Sequence, residues 1–301
     1  MTTSSAERRI RAALPVVRFL QTRVPLRWTV QPLRYATARA RVPADVTRQG
    51  VQADGVPCEW LIPCGSPGDS ALLYLHGGGF VFGVTPQHIA MVAQLARRMG
   101  IRALMVDYRL APDHPFPAAL DDCVTAYRWL LRQGIAQHKV AVAGDSAGGN
   151  LTLTTMMKLR DGGEPLPAAA ACLSPVADLT GRHSNSQVKD PLLPPRALKY
   201  YNTSYVGNAD PRDPLISPAY GDWRGLPPLL VHAGEEEILL DDATRIEALA
   251  RAAGVEVQLE TYPRMWHVWQ LFPELPQAGD SLADVANFLL GHLRPGKPAT
   301  G

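Results

Sequence analysis

Val140-Ala-Val-Ala-Gly144-Asp145-Ser146-Ala147-Gly148-Gly149-Asn150 joins a short apolar run to a serine flanked by glycines two residues on either side, and then to a stretch with helical periodicity, residues 150–160. An apolar run of that length reads as a buried strand, and the glycine-serine segment reads as the turn into a helix. A serine on so sharp a turn stands clear of the backbone with its hydroxyl exposed. The glycines avoid clashes, and the helix N-terminus favours negative charge developing nearby. Ser146 is therefore the candidate nucleophile, and the N–H of Ala147 the first candidate to hold an oxyanion.

Working outward, the same alternation repeats. Short apolar runs at 71–75, 103–106, 140–143, 168–173, 229–232 and 255–260 predict six strands. Between them, 87–99, 118–133, 150–160 and 242–253 have the period of amphipathic helices, with Gly100, Gly134 and Gly254 at the ends where a helix stop is expected. Strands alternating with helices predict an α/β class with a mostly parallel central sheet flanked by helices. One stretch breaks the pattern: residues 178–226 are rich in Pro, Asn, Asp, Ser and Tyr, with weak helical signals only near 197–205. It reads as an insertion over the sheet.

Directly after the first of those runs stands His76-Gly77-Gly78-Gly79-Phe80. Backbone N–H groups at that place can reach an oxyanion formed at Ser146, and glycine lets the main chain approach. A phosphate loop would end in GK[ST], and a dinucleotide fingerprint needs different spacing; neither is present.

With these motifs in view the chain resembles the hormone-sensitive-lipase-like family of bacterial esterases. HGGGF at 76–80, DYRLAP at 107–112, HPFPAALDD at 114–122 and GDSAGGN at 144–150 match that family's pattern in order and spacing, and the resemblance covers roughly residues 70 to 290. It implies an α/β-hydrolase fold with a helical cap, no cofactor, and hydrolysis of small-molecule carboxylic esters with short acyl chains. It also implies that Gly78 and Gly79, rather than Gly77, point their N–H groups at the oxyanion, that His76 supports the loop, and that a homodimer is compatible with the chain.

In this fold the order is Ser, acid, His. Four histidines follow Ser146: His183 in the insertion, His232 inside a predicted strand, His292 at the end of the last helix, and His267 in the loop Tyr262-Pro-Arg-Met-Trp-His267 after the final strand. Position favours His267, and the family's histidine matches it. The acid is less sharply marked, because Gly234-Glu-Glu-Glu-Ile-Leu-Leu-Asp-Asp242 offers five carboxylates. The family pattern D-x-L-x-D maps its first, catalytic carboxylate onto Glu237, where this chain departs from the commoner Asp. Asp241 is the rival, although Asp241 or Asp242 is more simply the cap of the following helix. Asp107 and Arg109 precede the serine and are expected to brace a loop. Phe80, Phe82, Trp223, Trp266 and Trp269 are core residues or pocket walls.

Bulk properties bound the rest. At 301 residues, 46% hydrophobic and net charge +2, the chain can bury a large core and lacks the charge excess of a nucleic-acid binder. Ten Arg against Glu7 and Asp45 make residues 1–48 strongly basic. Ile10, Leu14, Val17 and Leu20 at helical spacing make this segment an arm, kinked or restarted at Pro15, that packs on the main domain and contributes to the cap; residues 49–295 form the catalytic domain. Cys58, Cys64, Cys123 and Cys172 form no CxxC pair, so neither a disulfide framework nor a metal site is suggested. Without an apolar run of membrane length or a signal-like leader, no stable membrane insertion and a cytoplasmic location are expected. An amidase or arylformamidase of the same fold, a receptor-like hydrolase fold without turnover and a lipid-surface lipase are the competing functions. His267 argues against the receptor, and no long apolar lid segment supports the lipase.

Overall fold

The computed structural model describes residues 4–23, 40–181 and 190–293. Eight strands form one sheet: β1 (Val46–Ala53), β2 (Val56–Pro63), β3 (Ala71–Leu75), β4 (Arg102–Val106), β5 (Val140–Asp145), β6 (Ala169–Leu173), β7 (Leu229–Gly234) and β8 (Val257–Tyr262). Their order is β1-β2-β4-β3-β5-β6-β7-β8. From β4 to β8 every pairing is parallel, and only β1 and β2 run against their neighbours.

The first two strands fall where no strand is predicted, and β1 begins just before the boundary drawn at 49. Asp54 and Gly55 turn the chain between them at φ 51° and 89°, the two left-handed residues of a tight hairpin. β8 lies two residues later than the predicted 255–260. It is the far edge of the sheet and buries only its first residue, Val257, so its apolar content is thin.

The described helices are α1 (Ser5–Arg23), α2 (Pro86–Met99), α3 (Ala118–Arg132), α4 (Ala147–Asp161), α5 (Pro195–Val206), α6 (Leu240–Ala252) and α7 (Pro276–Leu293). The central strands are buried on both faces, as parallel strands between helical layers must be. Leu73, Leu75, Val140 and Val142 pack on one side with Leu120, Val124 and Leu151 of α3 and α4. Leu72, Tyr74, Ala141 and Ala143 pack on the other with Ile89, Leu95, Val285 and Leu289 of α2 and α7. Pro15 sits inside α1 without ending it.

This topology places the loops after β3, β5, β7 and β8 at one edge of the sheet, the carboxyl ends of the parallel strands, where such sheets bind ligands. The insertion between β6 and β7 carries α5. Its residues 182–189, among them His183, lie outside the described residues, as do 24–39 of the arm.

Candidate active site

β5 runs straight into the turn at Ser146, whose backbone adopts φ 52° and ψ −117° before α4 begins at Ala147. The strain is held from both sides: the Ser146 N–H donates to Leu173 O at 2.8 Å, and its carbonyl accepts from Asn150 N at 3.2 Å. Gly148 is obligatory, since a Cβ there would fall onto the Leu75 carbonyl of the neighbouring strand.

His267 Nε2 lies 2.9 Å from Ser146 Oγ. Its Nδ1 faces Glu237, with 3.8 Å to Oε2, an ion-pair distance longer than a hydrogen bond. Glu237 is wholly buried in the middle of the loop after β7. Burial, reinforced by the charges of Asp190 and Asp242, pushes its carboxyl well above the ordinary range against a hydrogen bond from Ser174. Burial also lowers the His267 pKa, opposed by the charges of Asp190 and Asp145, so the imidazole is neutral near pH 7. The structure thus brings together the serine, histidine and glutamate singled out in the sequence.

After β3 the chain turns back on itself, with Val81 N and Phe82 N both donating to Gly78 O. Gly77 N–H is spent on Asp145 Oδ1 at 3.0 Å. Gly78 and Gly79 line the same small cavity as Ala147, Ser146 and His267, with a volume of about 160 Å³. Asp145 is a buried hub that also accepts Tyr74 Oη at 2.9 Å and lies 3.2 Å from His88 Nε2. His76 stacks on Tyr108 at 4.2 Å, and its Nδ1 meets Gly77 O at 2.7 Å. Leu192, Leu193, Leu198 and Tyr201 from the insertion close the cavity together with Phe80, Phe82 and Leu271.

A family model described as an alpha/beta hydrolase fold matches residues 72–271. An acetyl-hydrolase of Streptomyces hygroscopicus is 39% identical over 294 residues, 92% of this chain and 97% of that protein. An esterase of Acinetobacter venetianus is 39% identical over 72% of this chain and 73% of its own length. A solved esterase from the bacterial hormone-sensitive lipase family superposes with a TM-score of 0.90 at 38% identity, covering 97% of this chain and all of that one. The chain belongs to the hormone-sensitive-lipase family of α/β-hydrolases.

For this hormone-sensitive-lipase-family chain one expectation needs correction. Neither Asp241 nor Asp242 caps α6: the N-cap is Leu239, without a side-chain cap bond, and Asp242 instead accepts Ala177 N from the loop after β6 at 3.0 Å. Cross-braced loops outcompeted a local cap. Arg109 does brace its loop, gripping Asp122 with Nε and Nη2. Trp223, Trp266 and Trp269 are core residues.

Three side chains that contact the loop carrying Glu237 are not marked by the sequence. Ser174 bonds Glu237. Asp190 accepts Ile238 N, next to Glu237, as well as Leu192 N and Leu193 N. Arg11 of α1 reaches Glu236. No local pattern marks any of them. Among the described residues no group of three or more His, Cys, Asp or Glu is arranged to hold a metal, and no helix is long and apolar enough to cross a membrane.

Proposed function

We propose that the chain hydrolyses carboxylic esters of short acyl chains through Ser146, His267 and Glu237, by way of an acyl-enzyme. The observation that carries this reading is the 2.9 Å approach of a neutral, buried imidazole to a serine on a strained strand-to-helix turn. The acetyl-hydrolase and esterase relatives agree with it in reaction class.

His267 takes the Ser146 proton as Oγ attacks the ester carbonyl. Gly78, Gly79 and Ala147 offer N–H groups to the oxyanion, at the positive end of α4. His267 then delivers its proton to the departing alcohol, and water repeats the cycle on the acyl-enzyme. Glu237 faces Nδ1 at 3.8 Å and stabilises the positive charge that forms on the imidazolium. A cavity of about 160 Å³ with aromatic and leucine walls favours small acyl groups.

The test is initial-rate hydrolysis of p-nitrophenyl esters from acetate to palmitate, beside Ser146→Ala and a matched p-nitroanilide. Turnover that peaks at short chains and vanishes in Ser146→Ala is expected. Retained activity in that variant overturns the mechanism, and faster anilide cleavage would assign an amidase.

A further inference from the structure

Ser174 immediately follows β6 and does not line the cavity, yet its single hydroxyl touches both Glu237 and the residue that follows His267. It donates to Glu237 Oε2 at 2.6 Å and accepts the N–H of Val268, the residue after His267, at 3.0 Å. A hydroxyl has one proton to give and lone pairs to receive, and both functions are used here. The Ser174 backbone is pinned as well, its N–H donating to His232 O of β7 at 2.7 Å. One side chain thus ties together the loops that follow β6, β7 and β8.

The backbone supports a purpose for this arrangement. Ser174 and Val268 both sit at φ 48°, a region that non-glycine residues avoid and that a β-branched valine adopts only under constraint. Strain at both ends of a single hydrogen bond, beside a third strained residue at Ser146, marks the bond as something the fold sustains.

We propose that Ser174 is a positioning residue: its hydroxyl holds the Glu237 carboxylate ionised and correctly turned, and through Val268 sets the separation between Glu237 and His267. This rests on the reading of Glu237 and His267 as members of the triad. Glutamate has one more rotatable bond than aspartate, and in this burial Glu237 Oε1 has no partner. The Ser174 bond to Oε2 is the side-chain hydrogen bond that favours the charged form, beside a backbone one from Gly234, and a short O–H···O⁻ bond is strong. The other charged or titratable groups facing Glu237 are His267 from the loop after β8, Asp190 from the segment before α5 and Asp242 from α6. Both aspartates disfavour its ionisation. Without the Ser174 proton the carboxylate would protonate more readily, and the working state, ionised Glu237 beside neutral His267, would be lost at a higher pH.

The experiment is kcat and KM for p-nitrophenyl butyrate as a function of pH, in Ser174→Ala, Ser174→Gly, Glu237→Gln and the Ser174→Ala/Glu237→Gln double variant. Rates are normalised to the sites that a serine-directed phosphonate labels, so that they refer to folded enzyme. Ser174→Gly removes the hydroxyl while relaxing the positive φ, and so separates the bond from backbone strain. Either single Ser174 variant should lose about ten- to thirtyfold in kcat, the scale of one charge-assisted hydrogen bond. KM should change by less than about twofold, since the hydroxyl does not meet substrate. The acid limb of the rate profile should move to higher pH. In the Glu237→Gln background the same Ser174→Ala change should cost less than about threefold, because the two side chains act as a unit. An unchanged kcat, a loss confined to KM, an unmoved acid limb or an equal loss in both backgrounds overturns the proposal. Wild-type turnover by Glu237→Gln would instead remove the triad acid itself, a distinct result because that variant keeps Ser174.

Discussion

Glu237 is held where ionisation is unfavourable, and that has a consequence for stability opposite to its proposed use in catalysis. Its pKa is raised in the folded state above the ordinary value of 4.5, chiefly by burial. Below 4.5 the group is protonated in both states and costs nothing; as pH rises through the window above, the unfolded chain releases the proton more easily, and stability is lost. Glu237→Gln should therefore lose about a hundredfold or more in kcat, yet melt at a higher temperature than wild type at mildly alkaline pH. The advantage should fade as pH falls to 4.5. Thermal melts of both proteins across that range check it; a variant less stable at every pH would contradict it. His267 supplies a second expectation. Because burial lowers its pKa from 6.5, the part of the acid limb of kcat/KM that belongs to His267 should have its midpoint below 6.5. That Ser146 and His267 meet was legible in the sequence, since a flanked motif and chain order single each out as a candidate. Glu237 needed the family pattern to separate it from four neighbouring carboxylates. Ser174 was illegible, its partners being 63 and 94 residues away along the chain.

Helix α5 is the element that shapes the cavity, and aromatic stacking docks it onto the glycine loop after β3. Tyr205 lies flat on Phe80, ring centroids 3.8 Å apart and 7° from parallel, while Tyr201 meets the edge of Phe82 at 5.8 Å. The fit leaves no slack: a Cβ on Gly79 would stand 2.5 Å from the Tyr201 ring. Tyr205 carries a buried hydroxyl without a hydrogen-bond partner. Removing an unsatisfied polar group while keeping the ring should help, so Tyr205→Phe should gain about 1 kcal/mol. Tyr205→Leu forfeits the stacked pair and should be less stable than Tyr205→Phe by about 1 kcal/mol or more. Chemical denaturation of the two variants tests the contrast, and a destabilised Phe variant would mean that the hydroxyl is satisfied in solution. At this scale the buried parallel strands were readable as apolar runs. The β1–β2 hairpin was not, because β1 buries only its end residues, Val46 and Ala53, and exposes Thr47, Gln49, Gly50 and Gln52 between them, and so lacks that signature. The Asp54-Gly55 dipeptide was the available clue.

Across the molecule, the basic arm acts as a brace between the acid loop and the histidine loop. Leu14 of α1 is buried with Met265, Trp266 and Trp269, the residues that frame His267. Arg11 lies over the Trp266 ring at 5.0 Å, and its guanidinium bonds Glu7 at 2.9 Å and Glu236, next to Glu237, at 2.8 Å. Arg264 meets Glu7 at 2.8 Å. Composition could not decide how this segment sits, since Arg11 and Arg18 find partners far along the chain, Glu236 and the Asp190 carbonyl. Glu7 is the keystone, 2% exposed between two guanidiniums. Burial opposes its ionisation, but the hydrogen bonds from Arg264 and Arg11 hold its pKa below 4.5. A depressed carboxyl stabilises the fold above the unfolded value and ceases to do so as pH falls through the folded one. Glu7→Gln keeps the shape and removes the charge, and with both arginines partly in solvent the loss should be about 1–2 kcal/mol near neutral pH. The deficit should shrink once the pH drops below 4.5, where wild type begins to lose the same charge. A deficit constant with pH would assign the arm's contribution to the packing of Leu14 instead, whereas a pH-dependent deficit accompanied by a fall in kcat would show that the charge of the arm reaches the catalytic loops.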